Sequence, residues 1–199
     1  MNPLEKREAS LAEYDMGALA RLVGIKGRHY LTREIGEKAY EILESQLTKT
    51  PEGESLVLVF PPNQLVDSSF ADESIVRLGE QILKGKFGER CMLLQGLTED
   101  STKNFRAVLK LRGIKLPLLS VAEDGAWEVL GNLEDSLLET LKLVNRYRRM
   151  TASDMVSRKG LAVNTASTRL KRLHNLHLVR REYEVSEKGL QYIYHRWQW

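Results

Sequence analysis

The chain has 199 residues, yet only one cysteine, five prolines and no long apolar run. Cys91 alone cannot form an internal disulfide, and such sparing use fits a reducing, cytoplasmic setting. It opens the apolar phrase CMLLQ and so reads as a buried structural thiol. The longest apolar stretches, at 56–62 and 116–121, are far too short to span a bilayer. The first fifteen residues carry charge without an apolar centre, so no secretory signal is expected there. Four histidines stand at no ligand spacing with cysteine or acidic residues. His174 and His177 lie three apart without further ligands, so neither a metal nor a cofactor is expected. The glycine phrase GIKGRH lacks the Lys-Ser/Thr of a phosphate loop. Asp72 and Glu73 are adjacent, about 100° apart on a helix, and form no facing acid–base pair. No nucleophile, base and metal assemble in the sequence, and the expectation is a protein that is not an enzyme.

What is present is a charge asymmetry. Residues 145–199 contain 12 of the 30 Lys and Arg but only 4 of the 27 Asp and Glu, whereas residues 1–144 are net acidic. Between Asn145 and Arg181 ten cations face a single acid, Asp154. A tail so biased is a cue for a polyanionic partner.

Patterning divides the chain likewise. Residues 1–14 lack periodicity and read as an arm or short helix. The apolar stretch at 16–25 reads as a strand. Thr32 caps a helix with Ile35, Ala39, Ile42 and Leu43 on one face. SLVLVF is an unalternating strand of the kind covered on both faces. A short strand at Leu65–Val66, a helix from about Phe70 to Leu83, strands near 90–94 and 116–121, and a helix from Ser101 to Arg112 follow. A turn leads into Trp127–Leu130. Strands alternating with helices predict an α/β layer with parallel pairing. The tail then reads as an amphipathic helix at 135–149, a short helix capped by Ser153, a helix capped by Asn164, two very short strands within 178–185, and a closing helix at 187–197. Helix, helix, turn, helix and hairpin is the order of a winged helix-turn-helix.

Within the tail, Ala166, Leu170 and Leu173 share one helix face and point to a core. The opposite side carries Thr165, Thr168, Arg169 and Arg172, flanked by Asn164, Ser167 and Lys171. Short polar side chains near a helix start admit it to a major groove, where arginine makes bidentate contacts. Arg146, Arg148, Arg149, Arg158, Lys159, Arg180 and Arg181 are placed to clamp flanking phosphates. The phrases Gly160-Leu161, Asn164 to Thr168, Arg169 to Leu173, Leu178 to Glu182 and Tyr183 to Ser186 ahead of Gly189 resemble the winged-helix DNA-binding domains of bacterial transcriptional regulators. The resemblance implies duplex DNA as partner and a homodimer on paired half-sites. His177 stands where that family has glycine. The hairpin reads as short, with Glu182 near its tip, which argues against deep insertion of a wing.

The front half contains Asp67-Ser68-Ser69 after an aliphatic strand, and Leu111-Arg112-Gly113-Ile114 after a helix. Over 55–121 it resembles the STAS fold of anti-sigma-factor antagonists, in a divergent form where Ser69-Phe70-Ala71 replaces Ser-Gly-Leu. The resemblance implies Ser68 as a phospho-switch toward an ATPase or kinase-like partner, with Asp67, Ser69 and Asp72 on the partner surface. A plain alternative is that Ser68 or Ser69 caps the helix and Asp72 completes the box. The expected organisation is an arm at 1–14, a STAS-like α/β domain at 15–131 that receives a protein or small-molecule signal, and a winged helix-turn-helix domain at 132–199. The alternative function is a partner-switching module whose winged helix serves assembly or RNA.

Overall fold

The computed structural model describes residues 12–186 and 189–199. It is a mixed α/β protein built on a mostly parallel sheet. Strands β1 (Ala12–Asp15), β3 (Ser55–Val59), β5 (Cys91–Gln95), β6 (Leu118–Val121) and β7 (Trp127–Leu130) lie in that order, with only β7 antiparallel. Two further strands, β2 (His29–Tyr30) and β4 (Leu65–Val66), form a separate parallel pair. Their neighbours are the helices α1 (Met16–Leu22), α2 (Arg33–Lys49), α3 (Ser68–Ala71), α4 (Arg77–Leu83) and α5 (Glu99–Arg112), with a π-helical turn at Asp72–Val76 joining α3 to α4.

The expected strand at 16–25 is instead helix α1, and the strand lies just before it, in what had read as the arm. Asp15 ends β1 and caps α1, its Oδ1 accepting a hydrogen bond from the Gly17 amide at 2.7 Å. An Asp at this point converts an apolar stretch into a helix start, a local signal that apolar content alone hides. Residues 1–11 lie outside the described residues.

The strands are covered on both faces, as the unalternating SLVLVF implied. Leu56, Leu58, Met92, Leu94, Leu118 and Leu130 belong to an apolar cluster with α1–α5. Val57, Cys91, Leu93 and Leu119 point the other way, into a second cluster. That second cluster is completed by the tail itself. Its elements are α6 (Asp135–Tyr147), β8 (Arg149–Met150), α7 (Ala152–Lys159), α8 (Val163–Asn175), β9 (Arg180–Ser186) and β10 (Gly189–His195). Leu137, Leu141 and Val144 of α6, Leu170 and Leu173 of α8, and Trp197 share the core with the sheet.

Polar contacts reinforce this junction. His177 takes a φ of +53°, the left-handed geometry that glycine favours. Its carbonyl accepts from the Trp197 indole at 2.9 Å and from the Cys91 thiol at 3.2 Å, while its Nδ1 bonds the Arg90 carbonyl at 3.1 Å. Histidine therefore holds a left-handed turn here, and its imidazole adds a contact to the sheet. Burial also pushes the Cys91 thiol up, so its reactive thiolate is disfavoured.

Burial holds His177 below its ordinary 6.5, despite opposing help from the Arg90 carbonyl and Glu89, and it holds His195 low as well. As pH falls from 7 through the ordinary histidine value of 6.5, the unfolded chain therefore takes up protons that the folded chain refuses, and stability falls. Urea midpoints measured across that range are expected to drop, and His177→Asn, which tolerates left-handed φ, to flatten the slope. An unchanged slope in the variant would remove His177 from the titration.

The tail differs from expectation in two places. The closing helix expected at 187–197 is replaced from Gly189 onward: Gly189–His195 is strand β10, antiparallel to β9, with β8 on its other side. Alternating Leu190, Tyr192 and Tyr194 favour a strand on grounds of period and residue type. The hairpin is accordingly long. Each strand has seven residues, roughly 23 Å. Glu182 lies opposite Ile193, well below the tip, and residues 187–188 are outside the described set.

Candidate nucleic-acid interface

Helix α8 begins at Val163, one residue before the expected cap. Asn164 therefore sits in the first turn, and Ala162 holds the cap position, where it offers no side-chain bond. The preceding α7 is capped by Thr151, not by Ser153. Thr151 Oγ1 accepts from the Asp154 amide at 3.1 Å, and Asp154 accepts from the Thr151 amide at 2.8 Å. This reciprocal box commits the only acid among the ten cations to a structural task. Gly160, at φ +65°, turns the chain from α7 into α8.

Ala166, Leu170 and Leu173 are fully buried, as their spacing required, and α8 rests on α6 and α7. Asn164, Thr165, Ser167, Thr168 and Lys171 are exposed, and Arg169 is half-buried. Arg158 and Lys159 stand at the end of α7, beside the start of α8. Arg158 lies 3.9 Å from the Tyr147 ring centre, a cation–π contact that orients it without cancelling its charge. Among the described residues, Arg146, Arg158, Lys159, Arg169 and Lys171 have no acidic partner.

Three of the named cations are placed differently. Arg172 makes a double hydrogen bond with Glu134, one arm at 2.9 Å, across 38 positions of sequence. That hydrogen bond holds Glu134 below its usual value. Arg180 pairs with Glu182 at 2.7 Å and stands opposite His195 at the hairpin foot. Arg180 opens strand β9, past the C-terminal end of α8, whereas Asn164 stands in its first turn. Arg181 covers the Tyr192 ring at 4.7 Å. The structure thus brings together the start of α8 and the end of α7, and leaves Arg180 and Arg181 apart from them.

The hairpin adds a feature missing from the sequence reading. Tyr183 faces Tyr192 and Val185 faces Leu190, and all four are exposed. The signal was the alternation Tyr-x-Val and Leu-x-Tyr, obscured when the second segment was read as helix.

In the front half, the helix after the serines starts two residues earlier than expected. Asp67 is its cap, with Oδ1 accepting from the Phe70 amide at 2.7 Å. Neither serine caps, and Asp72 completes no box. Ser68 and Ser69 are half-buried in the first turn. Asp72 and Glu73 both pair with Arg33, and Asp72 also meets Arg112 at 3.4 Å. One guanidinium therefore gathers two carboxylates that an α-helical projection separates, in the π-helical turn where spacing differs. Asp67 and Asp72 are thus engaged within the fold. Strand β4 beside them is held by α5, with the Ser101 hydroxyl accepting from the Val66 amide at 2.9 Å and the Asn104 amide donating to the Val66 carbonyl at 2.9 Å.

No helix among the described residues is long and apolar enough to cross a membrane, and no cluster of three His, Cys, Asp or Glu is arranged for a metal ion. No family model matches the chain, and no curated protein is similar enough to count as a relative.

Proposed function

We propose that the chain is a DNA-binding transcriptional regulator in which the tail acts as a winged helix and the front α/β layer as a STAS-like receiver of a protein or small-molecule signal. The observation that carries this reading is the joint of α7 and α8. An exposed face of short polar residues and Lys171 adjoins Arg158 and Lys159, while the local acid Asp154 is consumed by capping. The first turn of α8 also has no side-chain cap, so its amide groups and helix dipole favour a phosphate. The order helix, strand, helix, helix, strand, strand supports the same reading. Coupling would pass through the core that the sheet and tail share.

The test is binding of the full chain to a duplex from its own promoter and to random duplex, each across a salt series. Affinity is expected to fall with salt for both, and the promoter duplex to bind at least about tenfold tighter at each concentration. Equal affinity for the two sequences would defeat an operator-binding role.

A further inference from the structure

Where the hairpin foot meets the sheet there is a cleft of about 210 Å³, lined by Gly53, Ser55, Arg148, Arg180, His195 and Arg196 among others. The chain brings these groups together from distant positions. The Arg196 amide donates to the Arg148 carbonyl at 3.1 Å, which sets the two arginines side by side. Arg180 is directly opposite His195 in the β9–β10 register. Ser55, at the start of β3, donates to the Gln198 carbonyl at 3.0 Å and ties the sheet to the same wall.

Three guanidinium groups and an imidazole face few acids. Glu54 lines the cleft, and Glu182 pairs with Arg180 and stands 3.3 Å from His195 Nε2. Arg148 and Arg196 have no acidic partner among the described residues, and Arg196 stacks 4.8 Å from the Trp199 ring centre. His195 Nε2 is buried, with the Glu182 carboxylate as its polar neighbour. Burial and the nearby Arg148 hold the Arg196 guanidinium below its ordinary value, and burial, Arg180 and Arg149 do the same to the His195 imidazole, with Glu182 opposing. Like charges confined in this way are relieved by an anion.

We propose that this cleft is a binding site for a small phosphate-bearing ligand, gripped by Arg148, Arg180 and Arg196 with His195 as a further donor. Planar guanidinium forks match phosphate oxygens in pairs. The cleft's size limits the occupant to a compact group. None of its lining residues belongs to α7 or α8, whose joint forms the proposed DNA surface. A ligand here would touch the sheet and the tail at once, the position required of an effector.

The test is calorimetric titration of the full chain with inorganic pyrophosphate at constant ionic strength, with citrate and a short DNA duplex as comparison arms. Saturable one-to-one binding of pyrophosphate is expected, stronger than citrate. Arg148→Gln with Arg196→Gln is expected to weaken it about a hundredfold with an unchanged circular dichroism spectrum, and Arg196→Gln alone to leave duplex affinity within about twofold. Lys159→Gln is expected to leave pyrophosphate binding as it was. On binding, the NMR titration of His195 is expected to move to higher pH. Pyrophosphate binding that is non-saturable, or unaltered in the double variant, would overturn the site. Citrate binding as tightly would overturn its phosphate class, and parallel loss of duplex affinity would reassign the cleft to the DNA surface.

Discussion

Leu170→Ala is expected to destabilise the whole chain by about 2–5 kcal/mol, the range for removing a fully buried leucine from a packed core. Leu170 is 0% exposed and belongs to the cluster that joins α6, α7 and α8 to the second face of the sheet. The loss is therefore not confined to the tail. Val57, Leu93 and Leu119 share their cluster with the tail's apolar side chains, and exposing that face would leave a broad apolar surface in water. Urea unfolding followed by far-ultraviolet circular dichroism and by tryptophan fluorescence is expected to give one coincident transition, shifted to lower urea in the variant. Trp127 reports from β7 and Trp197 from the tail, so both halves are visible. A variant that keeps a separate, unshifted transition for the sheet would refute the shared core.

The second large effect concerns binding. Thr168→Glu with Lys171→Glu places two negative charges on the exposed face of α8 and removes one positive charge. Duplex affinity is expected to fall by at least about a hundredfold, with little change in the urea midpoint because both side chains lie in solvent. Arg172→Ala serves as the contrasting variant. Arg172 is held by Glu134, so its loss is expected to weaken binding far less than the two Glu substitutions together. If Arg172→Ala were as damaging as that pair, the bond with Glu134 would have to open on the DNA and Arg172 would belong to the reading face. If the two Glu substitutions left affinity intact, α8 would be outside the interface.

Local signals in this chain proved legible where a single element decides the outcome. The apolar positions of α8, Thr32 as a cap, the strands SLVLVF and CMLLQ and the turn into Trp127–Leu130 all follow from period, residue type and capping chemistry. Misreadings arose where two local signals competed. At Asp15 a capping carboxylate outweighed an apolar run that suggested a strand. At Gly189–His195 cross-strand pairing with Arg180–Ser186 outweighed an apparent helix start. At Asp67 the carboxylate took the cap for which the neighbouring serines are also chemically suited.

By itself the sequence determined that strands would alternate with helices, that the strands would be buried on both sides and that positive charge would gather in the tail. Those properties reside in spacing and residue type, which act within a few residues. Only the tertiary structure decided that the tail is what covers the sheet's second face, because periodicity shows that a face is buried without showing against what. The same holds for charge. Arg172 answers Glu134, Arg33 gathers Asp72 and Glu73, and Arg148, Arg180 and Arg196 converge on one cleft, while Arg158, Lys159 and Lys171 remain open to solvent. Which cations are spent and which are free depends on distances through space, and those are set by the fold.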